Sequence, residues 1–364
     1  MSDAPTAPFG RIGFGGYRVD DRTPTHRQAL EHALDHGCTL IDTSTNYTDG
    51  GSESLVGAVL TEREGRAPGA RQRIVTVSKI GYVQGRNLDL AMERERRGEP
   101  FPEMVRYMDG CWHCIHPEFL RDQLRRSLER LQADRLDVCL LHNPEYFLSD
   151  ATHRGDACDL EATRAEFYRR VQAAFAFFEE QVKSGLLGAY GVSSNSVVAP
   201  ADGPETTSLG RFLDAARAAG GATHRFRVMQ WPMNLFEGGA ALERNTGPGG
   251  EQTALETARD ADLKVLVNRP LNAILDGRLV RLSDASPAAR AVAEHLDPLL
   301  PEHLRSVPLS QKAIAVLLST PGIGTVLVGM RRPAYVDDVL AAAALPAVPD
   351  PLPIYRRFSE LTGG

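Results

Sequence analysis

Cysteine is scarce in this chain, long apolar runs are missing, and neither sign of charge dominates. Its 364 residues include five cysteines, an odd and small number that predicts reduced thiols and not a disulfide framework. No run reaches the roughly 18 apolar residues that suggest a membrane-spanning helix, since even AIAVLLSTPGIGTVLVG is broken by Pro321 and three glycines. A net charge of −6 gives no reason to expect nucleic acid or an anionic membrane as a partner.

The first residues, MSDAPTAPFGRIGFGG, contain no basic segment followed by an apolar one, so they do not resemble a secretory signal. Together with the expected reduced thiols, this predicts a cytoplasmic protein. Apolar residues make up 42% of the chain, enough to bury a large core, and no shift in composition marks a second domain. We therefore expect residues 1–364 to form a single domain, because α/β barrels often exceed 250 residues as one unit.

Short β-branched runs alternate with longer helical patterns along the chain, and this alternation predicts a parallel sheet. There are eight such runs, which together predict a closed α/β barrel of the (β/α)₈ TIM type, with its chemistry at the C-terminal ends of the strands. The predicted strands are Arg11–Phe14, Thr39–Asp42, Ile74–Ser78, Leu136–Leu141, Ala189–Ser193, Val228–Trp231, Lys264–Val267 and Thr325–Val328.

Helical periodicity fills most of the intervals between these runs. The predicted helices are Thr25–His36, Pro117–Leu131, Glu166–Ser184, Leu255–Ala261, Leu309–Thr320 and Ala334–Ala343. Two stretches, residues 83–113 and 235–253, interrupt the alternation without a clear period. Because long irregular segments in a compact domain are usually functional, we expect both to be long loops at the C-terminal face of the barrel, called the mouth below.

Four residues with reactive side chains stand at or just after the ends of successive predicted strands. Asp42 ends the second strand, Lys79 follows the third and His142 follows the fourth, while Tyr47 lies five residues beyond Asp42. Taken singly, each has an ordinary structural explanation as a turn residue, a solvated cation or a hydrogen-bonded histidine. Their equivalent positions in one barrel predict that they meet at the mouth as a catalytic set.

The chemistry of this set suits the reduction of a carbonyl or the oxidation of an alcohol. A free tyrosine has a pKa of about 10, and a Lys ammonium about 4 Å away supplies about 4 kcal/mol, enough to lower that pKa by roughly 3 units. We therefore expect Lys79 to lower the pKa of Tyr47, Asp42 to keep Lys79 protonated, and His142 to orient the carbonyl oxygen.

With these residues in place, the sequence resembles the aldo-keto reductase superfamily over roughly residues 9–345. The motifs that carry the resemblance are IDTSTNYTDGGSE, VTVSKIG, LDVCLLHNP, GLLGAYGVSSNS, VMQWPMN and VLVGMRRPAYVDDVL. The resemblance implies a tetrad of Asp42, Tyr47, Lys79 and His142, with Tyr47 as proton donor and a nicotinamide cofactor as the hydride source. It also implies that the cofactor lies extended across the mouth without a Rossmann domain, in agreement with the absence of a G-x-G-x-x-G motif.

The resemblance further implies where each part of the cofactor binds. The carboxamide would contact Ser194, Asn195 and Gln230, and further contacts would come from Gly16, Pro270 and Leu271. The adenosine end would lie against Gly329, Met330, Arg331, Arg332, Tyr335 and Asp338. Two arginines beside a helix N-terminus favour a 2′-phosphate, so we expect NADP(H), with NAD(H) as the alternative.

Two segments depart from the family pattern. Relatives often place an aromatic residue two positions before the Pro of the seventh strand's motif, stacked on the nicotinamide, and here that position is Asn268. The closing loop has Val328 where a Pro is common, and Asp338 and Val339 where Glu-Asn is common. The residue that stacks on the nicotinamide is therefore left unassigned.

A cysteine- and histidine-rich segment, Cys111 to Cys114 with His116 next to it, permits a zinc or redox site. Two cysteines at that spacing without a second pair give a weak metal signal, so we expect no metal and interpret Trp112 and His113 as substrate-binding residues. The expected partner is a small carbonyl or alcohol substrate. Three other functions stay open: a sugar or polyol dehydrogenase working oxidatively, a non-catalytic nicotinamide-sensing module, and a zinc hydrolase that uses His113, His116 and the cysteines.

Overall fold

The computed structural model describes residues 9–155, 159–275, 278–283 and 286–361, and in it the predicted TIM barrel is confirmed. Eight parallel strands pair in a closed ring, in which each strand lies beside its neighbours in the chain and the last pairs with the first. The strands are β1 (Ile12–Gly15), β2 (Leu40–Asp42), β3 (Val75–Ile80), β4 (Leu136–His142), β5 (Leu187–Ser193), β6 (Phe226–Pro232), β7 (Lys264–Asn268) and β8 (Thr325–Val328). All eight fall on the runs that the sequence predicts.

An apolar layer fills the barrel interior, because alternate residues of a strand point to the same face. These interior side chains form a cluster of their own, separate from the larger core between strands and helices. Its buried members are Leu40, Val75, Val77, Val138, Leu140, Ala189, Val228, Leu266 and Leu327. At Gly191 a Cβ would lie 1.8 Å from the Val228 carbonyl oxygen, so only glycine lets β5 and β6 approach there.

Helices surround the barrel and supply the outer core. The helices are α1 (Pro24–Asp35), α2 (Gly51–Arg66), α3 (Arg86–Arg96), α4 (Pro117–Leu131), α5 (Tyr146–Arg154), α6 (Leu160–Lys183), α7 (Leu209–Gly220), α8 (Gly239–Leu242), α9 (Ala254–Asp260), α10 (Pro287–Leu296), α11 (Leu309–Ser319), α12 (Pro333–Ala343) and α13 (Leu352–Leu361). All six predicted helices are present, with ends shifted by up to six residues. In the part of the chain that the structure describes, no helix combines the length and apolarity needed to cross a bilayer.

The stretches expected as irregular loops contain regular structure, so that part of the prediction is wrong. Residues 83–113 form α3 and most of a three-stranded antiparallel sheet, with strand order Tyr82–Val83, Cys111–His113, Val105–Met108. Residues 235–253 contain α8 and a hairpin of Arg244–Thr246 with Gln252–Thr253. Strands of two to four residues carry too little periodicity to be recognised. As predicted, both excursions follow strand C-terminal ends.

Candidate active site

One polar layer lies directly above the apolar barrel interior, because the period of two continues along each strand. The strand residues that continue this alternation beyond the interior layer are Asp42, Lys79, His142, Ser193, Gln230 and Asn268, called the mouth ring below. Three of the four expected catalytic residues therefore belong to the ring. The fourth, Tyr47, comes from the loop after β2.

Lys79 is the fully buried cation of the mouth ring. Its Nζ donates to Asp42 Oδ2 at 2.7 Å, to the Thr43 carbonyl oxygen at 2.8 Å and to Tyr47 Oη at 3.1 Å. These three acceptors use all three protons of an ammonium group, which is the condition for keeping such a charge out of water. Burial, the largest single influence, lowers the pKa of Lys79, but the charges of Asp42 and Tyr47 and the hydrogen bonds to both together outweigh it, and the net direction is upward. Lys79 is therefore charged at neutral pH.

Tyr47 reaches this cation from a tight turn, the 3₁₀ helix Tyr47–Gly50. Thr48 and Asp49 follow with positive φ angles of 48° and 57°, an uncommon conformation for residues other than glycine. The half-buried ring lies with its centroid 4.5 Å from Lys79 Nζ and 5.9 Å from the ring centroid of His142. The structure thus brings together the four residues that the sequence singled out.

The expected direction of the Tyr47 pKa is wrong for the protein without bound molecules. Burial raises the pKa of Tyr47 by more than the nearby Lys79 charge lowers it, and the Asp42 charge adds to the rise. The sequence reveals the attraction of the Lys79 charge for a phenolate, but it does not reveal how far Tyr47 is buried or how much that burial disfavours the phenolate. Tyr47 is therefore a protonated phenol at neutral pH, with a cation held beside the oxygen that would become charged.

His142 is neutral in this site, because burial, and then the charge of Lys79, hold its pKa well below the usual range. Its Nδ1 lies 3.0 Å from Ser44 Oγ. The edge of its ring packs against Tyr82, with centroids 4.6 Å apart. A neutral imidazole carries one ring proton, so its donor or acceptor character toward the mouth depends on the tautomer.

Trp112 and His113, both expected to bind the substrate, lie on opposite faces of the small sheet, as neighbouring strand residues do. His113 is buried beside the site, with Nε2 2.7 Å from the His142 carbonyl oxygen and its ring stacked on Tyr146. Burial lowers the pKa of His113 to about 4. Trp112 pairs with Val83 on the other face and packs on the hydrophobic core. His113 therefore contacts the backbone of His142, and Trp112 packs on the core from the other face of the small sheet.

The residues expected around the carboxamide do not all converge. Gln230 donates to Asp42 Oδ1 at 2.8 Å and accepts from Ser193 Oγ at 3.0 Å and from Asn268 Nδ2 at 3.2 Å. Ser194 is buried, with its hydroxyl 3.1 Å from Thr207 Oγ1, whereas Asn195 is exposed. The Ser193 side chain therefore meets the Gln230 side chain, whereas Ser194 contacts Gln230 through its backbone amide at 2.9 Å. The period of two from the interior residue Ala189 could have identified Ser193.

Gly16 and the turn after β7 lie at the same end of the barrel. The Gly16 amide donates to the Asp42 carbonyl oxygen at 2.7 Å, and a Cβ there would lie 2.7 Å from that oxygen. Pro270 is buried and Leu271 packs on the core, so both shape the turn. Arg269 precedes them with a φ of 57°, and its guanidinium donates to Asn195 Oδ1 at 3.2 Å. No motif or spacing in the sequence points to this contact of Arg269 with Asn195.

The segment from Gly329 to Asp338 combines an unobstructed backbone at Gly329 with two exposed arginine side chains. A Cβ added at Gly329 would meet nothing within 4 Å, and no side chain caps the N-terminus of α12. Arg331 and Arg332 are exposed, and neither forms an ion pair within the described residues. Met330 is buried; Asp338 accepts from Ser310 at 2.9 Å and Gln311 at 2.8 Å, while the exposed Tyr335 packs under Arg332. These features fit a phosphate-bearing adenosine.

A metal centre finds no support among the residues that the structure describes, where no group of three or more His, Cys, Asp or Glu side chains could hold an ion. Instead, His116 caps α4 by accepting from the Glu118 amide at 3.3 Å. Cys111 and Cys114 are free and buried. Because burial raises the pKa of both thiols, they are poor thiolate ligands.

Comparisons with known proteins agree with this geometry. The model of the Aldo/keto reductase family matches residues 11–202, more than half of the chain. The chain is 27% identical over 165 residues to the 6-dehydroglucose reductase of Novosphingobium aromaticivorans, which covers 40% of this chain and 45% of that protein. It is 29% identical over 106 residues to the NADH-specific methylglyoxal reductase of Escherichia coli, covering 29% and 27%. The alignments thus span less than half the length of these curated relatives.

Solved structures of similar proteins share the fold. An aldo/keto reductase from Klebsiella pneumoniae, in complex with NADP and acetate, matches with a TM-score of 0.58 and 21% identity. The match covers 99% of this chain and 95% of that chain. Identity at this level supports the shared barrel and says nothing about the substrate.

Proposed function

The chain belongs to the aldo/keto reductase family, and on that premise we propose that it interconverts a carbonyl and an alcohol with NADP(H), using Tyr47 as the general acid and base. The observation that carries the proposal is the contact of Lys79 Nζ with Tyr47 Oη at 3.1 Å and Asp42 Oδ2 at 2.7 Å. A buried cation shared between a phenol and a carboxylate has no simpler structural purpose, because an apolar side chain would fill the space at lower cost.

Proton transfer at Tyr47 Oη is the step that these residues perform. In the reduction direction the protonated phenol donates to the developing alkoxide, and the phenolate that remains faces Lys79. Two unit charges about 4 Å apart attract by about 4 kcal/mol at an effective dielectric near 20. Asp42 holds Lys79 protonated throughout, and Gln230 fixes the second oxygen of Asp42 at 2.8 Å. In the oxidation direction the same proton returns to Tyr47.

A nicotinamide cofactor supplies the hydride when it is bound. Gly16, Ser194, Asn195, Gln230, Pro270 and Leu271 would hold its nicotinamide half, and the segment Gly329–Asp338 would hold its adenosine half. Arg331 and Arg332 favour NADP(H), because unpaired guanidinium groups beside a helix N-terminus suit a 2′-phosphate. The structures and relatives similar to this chain include an NADP complex and an NADH-specific enzyme, so NAD(H) is the alternative.

The substrate that we propose is a small aldehyde, ketone or sugar. The mouth ring carries the amides of Gln230 and Asn268, which give the site polar groups that suit a hydroxylated substrate. The similar proteins named above reduce 6-dehydroglucose and methylglyoxal, as their names state. The same residues serve a sugar or polyol dehydrogenase working oxidatively, since both directions share one transition state.

A screen with both cofactors in both directions tests this proposal. Purified protein is mixed with NADPH or NADH and a panel of aldehydes, ketones and sugars, and with NADP⁺ or NAD⁺ and the matching alcohols, while absorbance of the reduced cofactor is followed. We expect turnover that Tyr47→Phe abolishes, although that variant still binds NADPH. Turnover that survives in Tyr47→Phe would remove Tyr47 as the proton donor. NADPH binding without any turnover would instead favour a non-catalytic sensing module.

A further inference from the structure

A line of hydrogen-bonding side chains runs from the back of His142 to a buried thiol. Ser44 Oγ lies 3.0 Å from His142 Nδ1 and 2.7 Å from Asn46 Oδ1. Asn46 Nδ2 lies 3.1 Å from Gln84 Oε1, and Gln84 Nε2 lies 3.2 Å from Cys111 Sγ. We refer to Ser44, Asn46, Gln84 and Cys111 as the polar chain.

The small antiparallel sheet beside the mouth places the far end of the polar chain. Tyr82 pairs with His113 and Val83 pairs with Trp112, so the next pair in register is Gln84 with Cys111. That pair lies on the face of the sheet that carries Tyr82 and His113, toward the catalytic histidine. Cys111 is 7% exposed, and burial raises the pKa of its thiol, which therefore keeps its proton.

The polar chain can be satisfied in two opposite directions. In the orientation of the structure, Gln84 donates to Cys111, Asn46 donates to Gln84, and Ser44 donates to Asn46. Ser44 Oγ then accepts from His142 Nδ1, which leaves His142 Nε2 as a bare acceptor. Rotating both amide groups by 180° reverses every donor, because the oxygen and nitrogen of a carboxamide have nearly the same shape. Cys111 then donates to Gln84, Gln84 to Asn46, Asn46 to Ser44 and Ser44 to Nδ1.

We propose that Ser44, Asn46, Gln84 and Cys111 are positioning residues that set the tautomer of His142, and that the direction from Cys111 to His142 operates in carbonyl reduction. A carbonyl oxygen can only accept, so it needs the proton of His142 on Nε2. That tautomer requires an acceptor role for Nδ1, and hence a donating Ser44. The inference rests on the proposed function, since it assumes a carbonyl in front of His142.

The direction of the Ser44 hydrogen bond depends on the side chains of Asn46 and His142 and not on the backbone. The other acceptor near its hydroxyl is the Lys79 carbonyl oxygen, at 3.1 Å. That oxygen already accepts from the Thr45 amide at 3.1 Å and from Thr45 Oγ1 at 3.2 Å. The Lys79 carbonyl oxygen therefore has its hydrogen bonds without Ser44, so the Ser44 hydroxyl can donate to Asn46 or to His142.

Two substitutions force the direction that we expect to be wrong for reduction. A carboxylate can only accept, so Gln84→Glu makes Asn46 donate outward, Ser44 donate to Asn46, and His142 carry its proton on Nδ1. Asn46→Asp imposes the same tautomer one step closer to the histidine. Ser44→Ala removes the partner of Nδ1 and imposes neither tautomer. Gln132→Glu is the matched control, because it adds the same charge at the exposed C-terminal cap of α4.

The kinetic test compares kcat for NADPH-dependent carbonyl reduction, together with the Kd for NADPH, in these four variants. Removing one hydrogen-bond donor to the reacting oxygen costs about 100- to 1000-fold in kcat. We expect that loss in Gln84→Glu and Asn46→Asp, a smaller loss in Ser44→Ala, no change in Gln132→Glu, and a similar Kd in all. Wild-type rates in Gln84→Glu and Asn46→Asp would overturn the proposal. The largest loss in Ser44→Ala would also overturn it, because a role of Ser44 in packing against His142, without any effect on the tautomer, predicts that result.

The tautomer itself can be read by nitrogen-15 NMR of histidine-labelled protein, with the His142 signals identified by their loss in His142→Asn. The sample contains NADP⁺ and acetone, an unreactive pairing of oxidised cofactor with a ketone. We expect the proton on Nε2 in the wild type and on Nδ1 in Gln84→Glu. The same tautomer in both proteins would overturn the inference. This measurement needs no turnover. Its outcome is therefore independent of the activity test with Tyr47→Phe, which tests the proposed function.

Discussion

Gln230 donates a hydrogen bond from Nε2 to Asp42 Oδ1 at 2.8 Å, and this contact ties the sixth strand to the buried ion pair on the second and third strands. Asp42 therefore has one oxygen on Lys79 and the other on Gln230. The amide expected to bind the cofactor also completes the hydrogen bonding of Asp42, the carboxylate of the proposed tetrad. Substitutions at Gln230 should for that reason affect proton transfer as well as cofactor affinity.

We predict that Gln230→Glu impairs activity most at high pH. The new carboxylate would lie within hydrogen-bond distance of Asp42, and two carboxylates at that distance share a proton because like charges disfavour full ionisation. As this pair of carboxyl groups loses its shared proton, its second negative charge increasingly disfavours the phenolate form of Tyr47 beside Lys79. The measurement is a pH profile of kcat beside wild type, with Gln252→Glu in the outer hairpin as a charge control. Parallel profiles for Gln230→Glu and wild type would contradict the prediction.

Removing the cation alone should damage the protein more than removing the pair. Lys79→Met leaves Asp42 buried with an uncompensated charge, which typically costs about 3–5 kcal/mol of unfolding free energy. In Asp42→Asn combined with Lys79→Met no charge remains, so we expect the double variant to regain much of that stability while both variants lack activity. Denaturant unfolding of the three proteins checks this order. A double variant less stable than Lys79→Met would show that the unpaired charge of Asp42 is not the main cause of the stability lost in Lys79→Met.

The sequence predicts the barrel and most of the site because both follow from one period of two. In β2, β3, β4 and β6 the last interior apolar residue is followed two positions later by a polar one, so Asp42, Lys79, His142 and Gln230 could all be placed from strand ends. The same rule, applied strictly, also places the Ser193 side chain beside Gln230 and puts Trp112 and His113 on opposite faces of the small sheet.

Other features lay beyond sequence reasoning for physical reasons. The three-stranded sheet that holds Cys111 and His113 has strands too short to show periodicity, and it is stabilised by packing on the barrel. The pKa of Tyr47 depends on a balance between burial and the Lys79 charge, and burial is known only from coordinates. The link from Arg269 to Asn195 joins residues 74 positions apart in the chain.

The raised pKa of Tyr47 predicts opposite pH dependences for the two directions. Reduction needs the protonated phenol, which burial maintains through neutral pH, so its rate should stay level and fall only in alkaline solution. Oxidation needs the phenolate as base, so its rate should rise with pH. The measurement is kcat in both directions across the pH range, with Tyr47→Phe as the inactive control. An oxidation rate that falls as pH rises would exclude Tyr47 as the base.

Arg331 and Arg332 should discriminate between the two nicotinamide cofactors. Both guanidinium groups are exposed beside the N-terminus of α12, and a 2′-phosphate would pair with them. We expect Arg331→Ala and Arg332→Ala to weaken NADPH binding about tenfold or more, at roughly 1.5–3 kcal/mol for each charged hydrogen bond, and to leave NADH binding nearly unchanged. Fluorescence titration with each cofactor gives the two Kd values, and Arg357→Ala in α13 serves as an exposed control. Equal losses for NADPH and NADH would mean that neither arginine contacts the 2′-phosphate.

His113 should limit stability in mild acid. Burial lowers its pKa from 6.5 to about 4, so the unfolded chain binds a proton that the folded protein does not accept until the pH is near 4. Stability is therefore unaffected above pH 6.5 and falls as the pH drops from 6.5 to 4, by up to about 3 kcal/mol in total. His113→Gln keeps an N–H donor for the His142 carbonyl oxygen but cannot titrate, so its unfolding free energy should decline less over that interval. Urea unfolding at several pH values gives both curves, and subtracting them removes the contributions of His142 and Glu145, which titrate in both proteins. Equal slopes between pH 6.5 and 4 would show that His113 is protonated in the folded state, which its position against the backbone of His142 argues against.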